Sequence, residues 1–481
     1  MSKTKTVIQA ADPAAKADPK IEIAEIVARA RAAQQQIAHY TQEQVDALVL
    51  AVGWNVVKNK EALARAAVDE GGFGNYDSKV MKIRNRVTGT IRDMMREKTV
   101  GVIEELPEKG IVKIAKPVGV IAALIPTTGP DATPPVKALG ALKGRNAIII
   151  APHPRTAHTS ALAVELMRAG CAQAGAPADL VQIINKPSLG KTAELMKQAD
   201  LVVATGGEAM VKAAYSSGTP AFGVGVGNAV HVVDETGDID DAAAMISRAK
   251  AFDFSTSCLA DNAVIAHDKI YGALLEKLQA CGGHLLNAAE KAKLQKLMWP
   301  TPDQHIPSLD VVAKPAAHIA GLAKIDLPEG KTFLIVEETG VGPQHPFSGE
   351  KLSVVLAFYR YKGKFDGAID LVNAITGYQG LGHTCGIHTS SEANIEALAM
   401  STKTARVMVN QDLNEGAGSP RNGMPYTLSL SCGTWGGNIT TENVNVRHFL
   451  NITWVSRLVD PKATPVGDEA IFAGHWARHG K

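Results

Sequence analysis

Apolar residues recur at helical spacing through the first hundred positions and then give way to short continuous runs. From Ile21 to about Glu97 the pattern predicts helices: Thr41-Gln42-Glu43-Gln44 fits a capping box, and Val45, Leu48, Val49 and Val52 follow three and four residues apart. Two extended runs flank Glu108-Lys109-Gly110 between Val100 and Val118, which predicts a hairpin that projects between domains and serves assembly.

Beyond it, strand-length apolar runs alternate with helix-like segments. The runs are Val118 to Ile125, Asn146 to Ile150, Val181 to Ile184 and Leu201 to Ala204, with helices starting near Pro134, Thr159, Gly190 and Glu208. Strands buried on both faces read this way in parallel doubly wound sheets, which bind nucleotides at their carboxyl ends. A dinucleotide-binding domain is expected over about 118–230, of atypical form: no G-x-G-x-x-G follows the first strand, and Gly223-Val224-Gly225-Val226-Gly227 lacks the last glycine. The alternation repeats from about 239 to 435, through Ala263 to Ala266, Thr332 to Val336, Leu352 to Leu356 and Ala405 to Val409, predicting a second α/β domain.

A chain of 481 residues has room for two or three domains. Hydrophobic content of 46%, charged content of 20% and a net charge of +2 offer no basic surface for nucleic acid or anionic membranes, so small molecules are the expected partners. The five cysteines are scattered, odd in number and without a C-x-x-C pair, which argues against a disulfide framework and against a metal site. A reducing, cytoplasmic setting is expected. Residues 1–20 read as a flexible tail without the apolar core of a signal peptide, and no run of about 18 apolar residues exists to span a bilayer.

Within Phe252-Asp253-Phe254-Ser255-Thr256-Ser257-Cys258, the cysteine stands between a loop and the predicted strand at 263–266, where a thiol can meet a substrate. Only the thiolate is a strong nucleophile, so a reactive Cys258 needs help from its surroundings.

Several segments, taken in order, resemble the aldehyde dehydrogenase family and specifically its CoA-acylating branch. They are Lys116 to Ile121, Pro126-Thr127-Thr128-Gly129-Pro130, Pro152-His153-Pro154-Arg155, Ala204-Thr205-Gly206-Gly207, Gly223 to Asn228, the Cys258 segment, Glu350 to Ser353, Gly382-His383-Thr384 and Cys432 to Asn438. The resemblance runs from about residue 20 to 458. It implies an α/β fold with an atypical Rossmann cofactor domain (21–99 and 117–238), a catalytic α/β domain (239–435) and a small β oligomerisation element (100–116 and 436–460), followed by a C-terminal tail (461–481). A homodimer or homotetramer is the implied assembly.

The resemblance also implies a mechanism. Cys258 would add to an aldehyde, its oxyanion held by the Cys258 N–H and a group from Thr127 or Thr128, and hydride loss to NAD or NADP would leave a thioester. The cofactor would lie against Pro126, Thr127, His153, Arg155, Thr205, Gly206, Gly207 and Gly225, with Glu350 on the nicotinamide ribose. Hydrolytic relatives carry a water-activating glutamate where this sequence has Val224, so coenzyme A is expected to take the acyl group. No metal is implied.

The substrate reading rests on departures from the family. Gly129 replaces an asparagine, and hydroxyls precede the thiol at Ser255, Thr256 and Ser257. Space and polarity there suit an anionic head, and sulfoacetaldehyde fits best, with Arg421 within conceivable reach and His383 on the thiol side of the cleft. Acetaldehyde, propionaldehyde and succinic semialdehyde remain alternatives, as do a hydrolytic enzyme and a catalytically silent scaffold. Cys432 reads as packing.

Overall fold

A computed structural model describes residues 18–301, 305–460 and 467–481 of the chain. Four helices open it: Pro19–Gln36, Gln42–Lys58, Lys60–Gly71 and Tyr76–Met94. The capping box forms as the sequence predicts. Gln44 N–H donates to Thr41 Oγ1 at 3.3 Å, Thr41 N–H donates to Gln44 Oε1 at 2.9 Å, and Val45, Leu48, Val49 and Val52 are fully buried. Most of the expected 1–20 tail lies outside the described residues, but Pro19 and Lys20 already belong to the first helix, capped by Asp18.

The hairpin follows as β1 (Gly101–Leu106) and β2 (Ile111–Pro117), antiparallel. Next comes a five-stranded parallel sheet made of β3 (Val120–Leu124), β4 (Ala147–Ala151), β5 (Val181–Ile183), β6 (Leu201–Thr205) and β7 (Ala221–Val224), in spatial order β5-β4-β3-β6-β7. All of β3 and β4 is buried, which is why their sequence shows runs and not alternation. Strand order reverses between β3 and β6, and a ligand crevice opens at the carboxyl ends there. Buried Lys137, on the helix Thr133–Lys143, ties these ends together by donating to the Leu124 and Val203 carbonyls, each at 2.8 Å.

A seven-stranded parallel sheet comprises β8 (Val230–Val233), β9 (Ala263–His267), β10 (Gly283–Leu285), β11 (Phe333–Glu337), β12 (Val355–Tyr361), β13 (Gly382–His388) and β14 (Thr404–Val409), in the order β10-β11-β12-β9-β8-β13-β14. Two expectations change here. The first domain does not extend to 238, because β8 pairs with β9 and β13, so the chain crosses between sheets at 225–229. The run at Leu352 enters its strand only at Val355, since Leu352 itself turns through a left-handed φ of 44°.

A third, antiparallel sheet joins β1 and β2 to β15 (Leu450–Ser456), with β2 in the middle. Only this part of 436–460 is strand; Val444, Val446 and Phe449 pack into the core of the five-stranded sheet. Of the expected C-terminal tail, 461–466 lies outside the described residues, and Asp468–His479 is a helix with no buried residue.

Candidate active site

Cys258 follows a backbone that no propensity would choose. After the helix Ile239–Ala251, Asp253, Phe254 and Ser255 take φ values of 48°, 50° and 61°, three consecutive L-residues in the left-handed region. Each costs about 1–2 kcal/mol, so tertiary contacts must hold the turn. Asp253, buried, does most of this. Its Oδ1 accepts from the Asn75 N–H at 3.0 Å, and its Oδ2 accepts from Lys82 Nζ at 2.8 Å, Lys79 Nζ at 3.3 Å and Thr256 Oγ1 at 2.7 Å. Ser255 Oγ donates to the Lys250 carbonyl at 2.6 Å. The crossover backbone closes the other side at Gly227, where a β-carbon would lie 2.5 Å from Cys258 Cβ, so only glycine fits.

The thiol thus presented is half-buried, and its Sγ lies 3.2 Å from His383 Nε2. Around it pack Val224, Leu259, Ala417 and Leu430. Burial, and then the Glu350 carboxylate, push the Cys258 thiol up to about 12. Burial, reinforced by the Arg406 guanidinium, pushes His383 down to about 3. The pair is therefore thiol and neutral imidazole at rest, not thiolate and imidazolium. Arg406 also fixes the histidine, donating from Nη1 to the His383 carbonyl at 3.0 Å and from Nη2 to the Ser431 carbonyl at 2.6 Å. The expected consequence is measurable. In the cofactor-free enzyme, the rate of Cys258 alkylation by iodoacetamide should climb about tenfold per pH unit from pH 7 to 9, tracking the thiolate fraction. A plateau at or below pH 8 would mean that the resting thiol is already ionised.

Glu350 is half-buried, and desolvation of its carboxyl raises it to about 8. Its Oε1 accepts from the Gly227 N–H at 3.0 Å, and its turn is held by Lys351 Nζ, which donates to the Phe347 carbonyl at 2.6 Å and to the Gly349 carbonyl at 3.0 Å.

Thiol and carboxylate face one cavity of about 570 Å³ that runs from the crevice of the five-stranded sheet to the helix Tyr76–Met94. Pro126, Thr127, Thr128, His153, Thr205, Gly206, Gly207 and Gly225 all line it, as do Thr256, Ser257 and Glu350. The cavity suits a dinucleotide on two counts. The buried Thr127 hydroxyl has no protein partner, and Gly207 begins the helix Glu208–Tyr215 with no side chain capping its N–H groups, the arrangement that receives a pyrophosphate. His153 doubles as a turn cap, accepting from the Arg155 N–H at 3.2 Å.

Other expected residues are placed elsewhere. Arg155 is exposed, with its guanidinium 5.3 Å from the centre of the Phe73 ring and away from the cavity lining. Arg421 pairs with Glu415 on the surface and does not line the cavity. The hydroxyls before the thiol serve the turn: Ser255 and Thr256 are committed as described, and Ser257 Oγ accepts from the Leu259 N–H at 3.2 Å. His383 stands behind the thiol and not in the lining. The cations that do line the cavity, Lys82 and Arg86, escaped the sequence reading. Their spacing from Lys79 was the available signal, since 79, 82, 83, 86 and 87 share one helix face with the core residues Ile83 and Val87.

Fold and site together define an α/β enzyme of two parallel sheets and a small antiparallel one, with a thiol facing the crevice at the carboxyl ends of the five-stranded sheet. The model of the aldehyde dehydrogenase family matches residues 4–285. The chain is 44% identical over 466 residues to the sulfoacetaldehyde dehydrogenase (acylating) of Bilophila wadsworthia, covering 95% of this chain and 99% of that one. Among solved structures, an acetylating aldehyde dehydrogenase from Geobacillus thermoglucosidasius superposes with a TM-score of 0.89 at 37% identity, over 92% of this chain and 97% of the other. A Rhodopseudomonas palustris propionaldehyde dehydrogenase with bound CoA and an acylated cysteine gives a TM-score of 0.81 at 29% identity, over 90% and 97%. This chain belongs to the aldehyde dehydrogenase family.

Proposed function

We propose that this enzyme is an NAD(P)-dependent, CoA-acylating aldehyde dehydrogenase whose substrate is sulfoacetaldehyde, acting in the cytoplasm. The observation that carries the reading is the setting of Cys258: its thiol faces the cavity beside His383, and the wall next to it is Val224 and not a carboxylate. The names of the relatives support the acylating chemistry and the sulfonated aldehyde.

In this mechanism Cys258 Sγ attacks the aldehyde carbon as its proton passes toward His383 Nε2. The Cys258 N–H and a hydroxyl of Thr127 or Thr128 receive the developing oxyanion. NAD(P), when bound, supplies the hydride acceptor, and the residues that would hold it are those of the crevice, with Glu350 on the nicotinamide ribose. Oxidation leaves the acyl group on Cys258 as a thioester. After His383 has released the first proton to solvent, the CoA thiol attacks the thioester, and its proton passes by way of His383 to the departing Cys258 sulfur, so that acyl-CoA forms and the Cys258 thiol is restored. In the assembly proposed, a dimer or tetramer, β15 supplies a free edge with Trp454 58% exposed.

The test is NAD(P)H formation from sulfoacetaldehyde, propionaldehyde, acetaldehyde and succinic semialdehyde, each with and without CoA, on a preparation sized by light scattering. CoA-dependent turnover, greatest with sulfoacetaldehyde, is expected from a dimer or tetramer. Equal rates with and without CoA would remove the acylating reading, preference for an uncharged aldehyde would remove the substrate, and a monomer would remove the assembly.

A further inference from the structure

The cavity wall opposite the cofactor crevice carries more positive charge than the protein around it neutralises. The helix Tyr76–Met94 brings Lys79, Lys82 and Arg86 to this end of the site, and Lys82 and Arg86 line the cavity. Lys79 and Lys82 share Asp253, and Lys82 also reaches Asp131 at 3.3 Å. Two lysines thus meet two aspartates. Arg86 meets none. Its guanidinium donates to three backbone carbonyls, from Nη1 to Ala417 at 2.8 Å and Gly418 at 2.9 Å and from Nη2 to Asn414 at 2.9 Å. Those bonds engage three of its five N–H groups and pair its charge with no carboxylate, Asp412 and Glu415 acting on it only from beyond contact. The acidic groups beyond it have cations of their own: Asp412 is paired with Arg248 and Glu415 with Arg421. Three cations, Lys79, Lys82 and Arg86, therefore stand against two carboxylates, Asp131 and Asp253.

A cation without a carboxylate partner in a largely apolar cavity is unfavourable unless an anion joins it. Both cavity-lining cations are also linked to the surroundings of the thiol through shared partners. Lys82 and Thr256 share Asp253 Oδ2, and Thr256 lies two residues before Cys258. Arg86 holds the Ala417 carbonyl, and Ala417 packs in the apolar cluster that surrounds Cys258.

We propose that Arg86, seconded by Lys82, binds the singly charged anionic head of the aldehyde, a sulfonate in the proposed substrate, and so sets the preference for anionic over neutral short-chain aldehydes. This rests on the substrate reading above. It assigns the role once expected of Arg421 to a different element, and it explains the Ser255 and Thr256 hydroxyls as supports for the turn, not as the head-group site. One monoanion brings this end of the cavity to neutrality.

The test compares wild type with Arg86→Met and Arg86→Lys, reading the ratio of kcat/KM for sulfoacetaldehyde to that for propionaldehyde. Charge-assisted hydrogen bonds of this kind correspond to roughly 10–100-fold in such a ratio. Arg86→Met should lower it by that much, chiefly through KM, and Arg86→Lys should retain most of it. A purely structural clamp on the 414–418 backbone would depress both substrates in parallel and leave the ratio where it was, which would overturn the proposal. A second measurement needs no variant. In wild type, ethanesulfonate should protect Cys258 from alkylation and compete with aldehyde, an effect that fades with added salt, whereas neutral ethyl methyl sulfone should not. Absence of ethanesulfonate protection would also overturn the anion site. If ethanesulfonate protects but wild type prefers propionaldehyde, the site stands and the substrate reading falls. If wild type prefers sulfoacetaldehyde but Arg86→Met keeps the ratio, the substrate reading stands and this proposal falls.

Discussion

Replacing Cys258 by alanine is expected to abolish acyl-CoA formation, a loss on the order of 10⁴-fold or more, as removal of a covalent nucleophile usually brings. The fold should survive. Cys258 contributes one sulfur to a small cluster with Val224, Leu259, Ala417 and Leu430, and the strained turn before it is held by Asp253 and Ser255, which the substitution leaves in place. A stability change within about 1 kcal/mol by denaturant titration is expected. Cofactor binding should persist, because the crevice residues are untouched. The rival nucleophile is Cys432, which is buried nearby, with its Sγ 3.8 Å from where a Gly225 β-carbon would stand. It points its sulfur toward the Leu430 carbonyl at 3.7 Å, and burial raises it to about 11. Intact-protein and peptide mass spectrometry after exposure to aldehyde and NAD(P) should find the acyl group on Cys258 in wild type. An adduct on Cys432, or appreciable turnover by Cys258→Ala, would move the chemistry.

What the sequence made legible follows from where the energetics are local. The strands β3, β4, β6 and β9 are continuous apolar runs because both faces are buried, and the pattern alone located them. β13 was missed for the opposite reason. Gly382-His383-Thr384-Cys385-Gly386-Ile387-His388 is wholly buried, yet Ile387 is its only aliphatic side chain among glycines, histidines, a threonine and a cysteine, so no apolar run marks it. β8 is interrupted by His231, which bonds Asp261 at 2.7 Å. The thiol was visible from its loop-to-strand position, but the turn that presents it was not. Three left-handed residues are dictated by Lys79, Lys82 and Asn75, about 170 positions away in the chain. The same distance in sequence hid Arg86 and favoured Arg421, whose charge is taken up by Glu415 six residues before it.

The fate of the thioester gives the second large effect. Val224 is 3% exposed and packs beside Cys258, and no acidic side chain other than Glu350 lines the cavity among the described residues. Water in the site therefore has no carboxylate at Val224 to take its proton, and loss of a general base costs about 10²–10⁴ in rate. CoA needs less help, since its thiol ionises far more readily than water and is the better nucleophile. With aldehyde and NAD(P) but no CoA, the enzyme should release one equivalent of reduced cofactor per active site and then nearly stall; CoA should restart it. Glu350 sets the limit of the stall. Its carboxyl, raised to about 8 by burial, is mostly protonated at pH 7 and becomes an available base only as pH rises through that value. Slow CoA-independent turnover should accordingly increase between pH 7 and 9. Stopped-flow absorbance at both pH values reads burst and steady state in one trace. Steady NAD(P)H production at pH 7 equal to the rate with CoA would replace the acylating assignment with a hydrolytic one. Val224→Glu tests the same wall from the other side: a carboxylate there should raise CoA-independent turnover at pH 7, because it restores a proton acceptor next to the thioester.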